Sequence, residues 1–375
     1  GGEIDFKKFK AFFELPCDLD DKERIRKIHE KISRIKQLRQ LDLEKEKLEN
    51  ETSRLRIVAL VIETRSDYSG KKEIDDMLSY GITRVELGVQ SLYNNVLEMV
   101  KRGHNVEDSI KATQLLKDSL LKISYHMMIG LPGATEEKDL AMFRELFDNE
   151  NFKPDMLKIY PCLVMPGTPL YEDYRNGLFK SMLAEEAVEI ISEVKRFIPT
   201  YTRVQRIQRD IPSTVISGGP IMTNLRQDVA KLCEKKGISC QCIRCREPMH
   251  KEVDWDNVEL KRFDYKSSGG EEVFLSFEDV KNNLLLAFCR LRKPFEPFRR
   301  EITSNSVGIR EIHTYGSSVS LGKKPNIEIQ HRGLGKKLLA ESEKIAIGDF
   351  DAKKILVISG VGARGYFFNL GYKKD

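Results

Sequence analysis

The sequence predicts an α/β protein built as two unlike halves joined by a cysteine-rich, basic segment. Three observations carry this. Over residues 1–200, β-branched runs alternate with helical patterns, which implies a parallel sheet with helices outside it. Between residues 233 and 245, four cysteines fall among arginines. After residue 258, short strand-like runs separated by turns lead into a glycine loop and a helix, an antiparallel α+β pattern. The expected segments are 1–200, 201–257 and 258–375.

A chain of 375 residues has room for two or three domains. The net charge of +5 is too small to demand a nucleic-acid partner by itself, so clustering of the basic residues has to decide. The longest early apolar run, "IVALVI" at 57–62, is far too short to cross a membrane. No membrane partner and no signal peptide are expected. Three of the seven cysteines lie within six residues, which favours metal binding in a reducing, cytoplasmic setting over a disulfide framework.

Taken in order, "DKERIRKIHEKISRIKQLRQ" predicts an amphipathic helix. Ile25, Ile28, Ile32 and Ile35 form a core-facing stripe, and Lys27, Lys31 and Arg34 form a solvated back. "LRIVALVIET" suits a strand buried on both faces. A helix "KEIDDMLSYG", a strand "ITRVELGVQS" and a helix "NVEDSIKATQLLKDS" follow. Next come a strand "LLKISYHMMIGLPG" ending in a glycine turn, a helix "TEEKDLAMFRELFDN" capped by Thr135, and a strand "MLKIYPCLV". Such a sheet can close into a full or partial TIM-like barrel, where functional groups gather at strand C-terminal ends. Those ends carry Glu63 and Arg65, Gln90 and Ser91, the turn Gly130 to Gly133, and Tyr160, a set that reads as a ligand rim.

In the joining segment, Cys240, Cys242 and Cys245 form C-x-C-x2-C. Zinc takes four tetrahedral ligands, usually thiolate or imidazole. The expected fourth is Cys233, at the end of a helical pattern, with His250 as the alternative. A zinc here is expected to be structural. Arg203, Arg206 and Arg209 recur at three-residue spacing, and Arg244 and Arg246 interleave with the cysteines. Guanidinium forks suit phosphate, so these patches point to an RNA groove.

In the last third, "IQHRGLGKKLLAESEKIA" places Gln330, Gly333, Leu334, Gly335 and Lys336 at the start of a helix. Glycines let the backbone approach closely, and the N–H groups of a helix N-terminus attract phosphate. A dinucleotide-binding turn would need a parallel βαβ unit, and the preceding antiparallel pattern argues against one. The bent sheet, glycine loop and helix, with Q/R-x-x-G-x-G/A spacing, resemble the Gcn5-related acetyltransferases. The phosphate expected is therefore the pyrophosphate of coenzyme A. The strand "REIHTYG" would pair its backbone at Glu311, Ile312, His313 and Thr314 with the pantetheine amides. Tyr366, followed by Phe367, stands where a general acid could protonate the leaving thiolate.

"VIETRSDY", "RVELGVQS", "KRGHNVEDSIKATQLLKDS" and "YHMMIGLPG" together resemble the radical S-adenosylmethionine half of the Elongator catalytic subunit family. "RIQRDIPS", "NLRQ" and "CIRCRE" match its tRNA-binding joint, and "REIHTYG", "QHRGLGKKLLAESEKIA" and "ISGVGARGYFFNLGY" its acetyltransferase half. The resemblance implies a partial barrel holding S-adenosylmethionine and an iron–sulfur cluster, a zinc-binding joint and an acetyltransferase domain. It implies tRNA wobble-uridine modification. An adenosyl radical takes hydrogen from the acetyl methyl of acetyl-CoA, and the carbon radical adds to uridine C5. Hydrolysis then leaves a carboxymethyl group. Glu63, Arg65, Gln90 and His126 would form the barrel rim, and the five arginines would hold the anticodon arm. Partners would be tRNA, and other Elongator subunits or a second copy.

The sequence departs from the family in two places. The three closely spaced early cysteines that hold the cluster are not found, and Cys17 stands alone. This chain is therefore not expected to build the cluster. The family carries two adjacent tyrosines where this chain has Tyr366 and Phe367. Two other readings stay open: a protein lysine acetyltransferase, with Glu311 as its base, and a non-catalytic tRNA-binding subunit.

Overall fold

A computed structural model describes residues 5–15, 21–37, 41–222, 224–249, 251–315 and 333–374. The chain divides into two compact units, Gly1–Ile57 and Val58–Asp375. The described residues of the first form α1 (Phe6–Phe12), α2 (Lys22–Gln37) and α3 (Leu43–Thr52). Asp5 and Asp42 cap α1 and α3 with their carboxylates. The predicted stripe of α2 is not a core face. Ile28 is buried, but Ile25 and Ile35 are exposed.

The described residues of the second unit form two sheets. The first is parallel throughout, with strands in chain order: β1 (Val61–Thr64), β2 (Arg84–Gln90), β3 (Lys122–Ile129), β4 (Met156–Pro161) and β5 (Arg203–Arg206). Consecutive parallel strands need crossovers. These are supplied by α4 (Lys71–Ser79), α5 (Asn94–Met99), α6 (Val106–Asp118), α7 (Glu136–Asp148), α8 (Pro169–Arg175) and α9 (Ala184–Val194). Thr135 caps α7 as expected, accepting from the Lys138 N–H. The core lies between strands and helices, with Val85, Leu87, Ile123, Tyr125, Leu157 and Ile159 from the sheet packed near Phe143, Leu146 and Ile190 from the helices. β1 differs from expectation: it is short and half-exposed, because it forms the sheet edge. The sheet also runs past the expected boundary at residue 200, since β5 pairs with β4.

After α10 (Leu225–Lys235) and the single turn α11 (Ile243–Arg246) comes the second sheet. β6 (Val258–Ser267), β7 (Gly270–Asp279), β8 (Leu284–Lys293) and β9 (Ser306–Thr314) are antiparallel neighbours, and β10 (Lys354–Val357) lies parallel to β9. α12 (Leu334–Gly348) packs Leu334, Leu338, Leu339 and Ile345 into this sheet's core. "GARGYFFNLGY" contains a short helix, α13 (Arg364–Phe368). The strand-like "PNIEIQ" and Gln330 lie outside the described residues, as do Cys17 and His250. β9 meets the turn between α6 and β3 at Gly308. A Cβ there would fall 2.1 Å from the Leu120 side chain, so only glycine fits without a shift.

Candidate active site

The C-terminal ends of the parallel strands surround a cavity of about 720 Å³. Glu63, Arg65, Gln90 and His126, all expected at the rim, line this one cavity. They come from β1, the turn after it, β2 and β3, and meet because each stands at or near an inward strand-end position. Gln90 has φ +68°, left-handed for a residue with a side chain. Such strain persists where surrounding structure fixes it, often at functional sites.

The sequence reading missed the charges at the floor of the cavity. Glu86, 3 % exposed, accepts from His126 Nε2 at 2.8 Å and from the Lys158 ammonium. Lys158 also donates to Glu63 Oε1 at 3.1 Å. Burial alone would raise the Glu86 carboxyl, but His126 and Lys158 outweigh it and hold it down at about 2. Burial likewise disfavours the Lys158 ammonium, but Glu86 and Glu63 raise its pKa overall. Glu63, Glu86 and His126 offer ligand atoms within 4.8 Å of one another, but Lys158 already supplies the positive charge there. A signal was available: Glu and Lys at inward positions of otherwise apolar strands. Arg102, half-buried and donating to Gly88 O at 3.2 Å, completes the polar wall.

The arginines expected to bind RNA separate into two groups. Arg206 and Arg209 line the barrel cavity and an adjoining one of about 660 Å³. Arg206 is half-exposed and paired with Asp210 at 2.7 Å, and Arg209 lies 5.8 Å over the Tyr160 ring. Arg203 and Arg244 both bind Glu247, at 2.6 and 2.7 Å. Arg246 is 1 % exposed. It donates to Gln241 O and Thr200 O and pairs with Glu278 at 2.7 Å. Arg246 is thus a buried strut rather than an RNA contact, because each guanidinium nitrogen has a partner inside the protein.

A separate cavity, about 500 Å³, is lined by Ile312, His313, Thr314, Gly333, Gly335, Lys336, Tyr366 and Phe367. Nearly the whole predicted coenzyme set therefore meets in one place. Gly333 caps α12 at φ +75°, and a Cβ on Gly335 would sit 3.2 Å from the Tyr366 hydroxyl. Lys336 and Lys337 occupy the first turn of α12, where cations are unfavourable unless an anion sits beyond them. Leu334 points into the core and offers only its backbone. Phe367 is buried and has no hydroxyl, so of this aromatic pair it is the half-exposed Tyr366 that brings one to the cavity, alongside that of Thr314. Burial raises the Tyr366 pKa, which keeps its proton in place. Glu311 is committed: its carboxylate accepts from Arg290 Nε at 2.8 Å.

The thiols of Cys240, Cys242 and Cys245 lie within 4.8 Å of one another. The Cys233 thiol is not among them. It packs on α10 inside the apolar core. Instead the buried Lys195 donates to Cys245 Sγ at 3.3 Å. Hydrogen bonds from Cys240 and Cys242, with Lys195, pull the Cys245 thiol down to about 2, while the other two are pushed up. Three thiols so close cannot all ionise without a cation between them.

Residues 19–146 match the model of the radical SAM superfamily, and residues 154–235 match the radical SAM C-terminal domain. A tRNA uridine(34) acetyltransferase from Methanocaldococcus jannaschii is 55% identical over 87% of this chain and 61% of its own length. Elongator complex protein 3 from Saccharomyces cerevisiae is 41% identical over 89% of this chain and 61% of its own. The chain thus spans about three fifths of the length of these curated relatives. A solved structure of an N-terminally deleted archaeal Elp3 from Methanocaldococcus infernus is 52% identical, with a TM-score of 0.86 over 90% of this chain and 80% of that one. On sequence and fold together, this chain belongs to the Elongator complex protein 3 family.

Proposed function

We propose that this chain carries the two ligand sites of a tRNA wobble-uridine modifying enzyme: acetyl-CoA on the second sheet, and the uridine-bearing anticodon arm at the barrel mouth. The observation that carries this is the meeting of Gly333, Gly335, Lys336, the β9 strand and Tyr366 around one cavity, in a chain whose other half opens an arginine-rimmed cavity. The names of the relatives, tRNA uridine(34) acetyltransferase and Elongator complex protein 3, support the same reading.

The residues divide the work. The N–H groups at Gly333 to Lys336 would hold the coenzyme pyrophosphate. The β9 backbone from Ile312 to Thr314 would align the pantetheine arm. Tyr366 would deliver its hydroxyl proton to the departing thiolate sulfur. At the barrel mouth, Arg206 and Arg209 would take phosphates of the anticodon arm, while Glu63, Gln90, His126 and Lys158 face the inserted ligand.

The radical SAM fold implies S-adenosylmethionine and an iron–sulfur cluster. The barrel cavity offers carboxylates and guanidiniums that suit the charged ends of the former, but no cysteine lines it. The described residues therefore do not fit a cluster there. The thiols of Cys240, Cys242 and Cys245 fit zinc, which would fix the short segment between the sheets. A lysine acetyltransferase would need a free base beside the thioester. Glu311 is a poor one, because its carboxylate is held by Arg290.

The test is equilibrium binding of acetyl-CoA and of an anticodon-arm RNA to the purified chain. Both should bind, each lost to its own substitutions: Gly335→Ala for the coenzyme, Arg206→Ala with Arg209→Ala for the RNA. A chain that binds neither ligand overturns the proposal.

A further inference from the structure

Between the two sheets lies a set of charged side chains with almost no exposure: Asp118, Asp155, Glu272, Arg290, Arg292 and Arg310. Taking such charges out of water costs several kcal/mol per ion, and packed apolar residues would hold two sheets together at least as well. What charges supply instead is register. Asp155 is the hub. Its carboxylate accepts from Arg310 at 2.8 and 2.5 Å and from the Ile123 N–H at 2.9 Å. Its carbonyl accepts from the Arg203 N–H at 3.0 Å and from Arg290 Nη2 at 3.3 Å. One residue at the foot of β4 therefore touches β3, β5, β8 and β9.

Arg310, itself on β9, ties that strand to the hub directly, and Arg290 adds a second link that reaches Glu311, nearer the cavity end of the candidate coenzyme strand. Its Nε donates to Glu311 on β9, its Nη2 reaches Asp155, and its guanidinium is held 5.2 Å from both the Phe274 and Phe288 rings. Three residues along β4 from Asp155 stands Lys158, on the floor of the barrel cavity. Three residues along β9 from Glu311 stands Thr314, in the wall of the other. Each step is roughly 10 Å of strand. Arg292, just as buried, is different: it binds Asp118 at 2.6 Å and Glu272 at 2.9 Å, and its hydrogen bonds reach neither Glu311 nor Asp155.

We propose that Arg290 is a positioning residue that couples the two cavities. Its fork fixes β9 against β4, so that coenzyme seated on β9 strengthens binding at the barrel mouth. This rests on the function proposed above. Coupling of this kind is reciprocal: coenzyme and RNA must raise one another's affinity by the same factor.

The test measures the dissociation constant of an anticodon-arm RNA with and without saturating coenzyme A, and that of coenzyme A with and without the RNA. It is run on the wild type, Arg290→Lys, Arg290→Met and the control Arg292→Lys, with melting temperatures alongside. Lysine keeps the charge between the two rings but cannot fork to both partners. The wild type should show coupling of about fivefold or more, equal in both directions. Arg290→Lys should bind each ligand alone within about twofold of wild type and lose the coupling, and Arg292→Lys should keep it. If Arg290→Lys does not fold, Arg290→Met takes its place in the comparison. Coupling retained in an Arg290 variant, coupling lost equally in Arg292→Lys, or no coupling in a wild type that binds both ligands overturns the proposal. A wild type that binds neither ligand overturns the function on which it rests, and is told apart by the single-ligand titrations.

Discussion

Asp139 gives a pH dependence with a definite sign. It lies on α7, 3 % exposed, and its carboxylate accepts the Gly130 N–H at 2.8 Å, at the glycine turn where β3 reaches the barrel mouth. Burial pushes its pKa up to about 7, with the Gly130 hydrogen bond pulling the other way. In the unfolded chain the same carboxyl titrates near about 3.9. The folded state therefore holds the proton more tightly. Below pH ~3.9 both states are protonated and the group is neutral in its effect. As pH rises toward 7 the unfolded state releases the proton first, and stability falls. A gap of about three pH units corresponds to at most about 4 kcal/mol, fully developed above pH ~7. Asp139→Asn keeps a carbonyl for Gly130 and never ionises. Urea unfolding followed by circular dichroism from pH 4 to pH 8 should find the two proteins equal at the acid end. The variant should be more stable by about 2–4 kcal/mol at the alkaline end. A variant less stable by the same amount at every pH would refute the argument, because the carboxylate would then act only through its hydrogen bond.

Other outcomes follow from the same geometry. Arg206→Ala and Arg209→Ala should each flatten the salt dependence of RNA binding by about 0.7 in logarithmic slope, whereas Arg246→Ala should instead lower stability by about 3–5 kcal/mol, since it strips a buried strut. Tyr366→Phe should leave the acetyl-CoA dissociation constant within about twofold while lowering thioester hydrolysis about 100-fold, read by thiol release. Lys195→Met should accelerate zinc loss to a chelator about tenfold without altering the zinc stoichiometry, because it removes the hydrogen bond to Cys245 rather than a ligand.

Much of the molecule was legible in its sequence because hydrophobic period follows directly from backbone geometry. The alternation from β2 to β4 and the antiparallel runs of β6 to β9 appear where the residue pattern demands. The glycine spacing before α12 carried the resemblance to the Gcn5-related acetyltransferases, and that resemblance implied the strand and the tyrosine that line the same cavity. Other features depend on what lies across from a residue. Arg203, Arg206, Arg209, Arg244 and Arg246 look alike in sequence. Only the buried carboxylates of Glu247 and Glu278 separate the struts from Arg206, whose partner Asp210 is solvent-exposed, and from Arg209. Cys233 looked like a fourth ligand by proximity in sequence, yet the α10 face it occupies turns it into the core. Glu86 and Lys158 stood out as charges on apolar strands, but their meeting with His126 was hidden because the three residues come from different strands. It becomes visible only once the sheet order brings β2, β3 and β4 side by side.

The most direct measurement is acetyl-CoA hydrolysis by the purified chain with tRNA, with a lysine-rich peptide, and with neither. The account predicts hydrolysis raised by tRNA and not by peptide, with no acetyl-lysine formed. Hydrolysis raised only by the peptide, with acetyl-lysine as product, would contradict it.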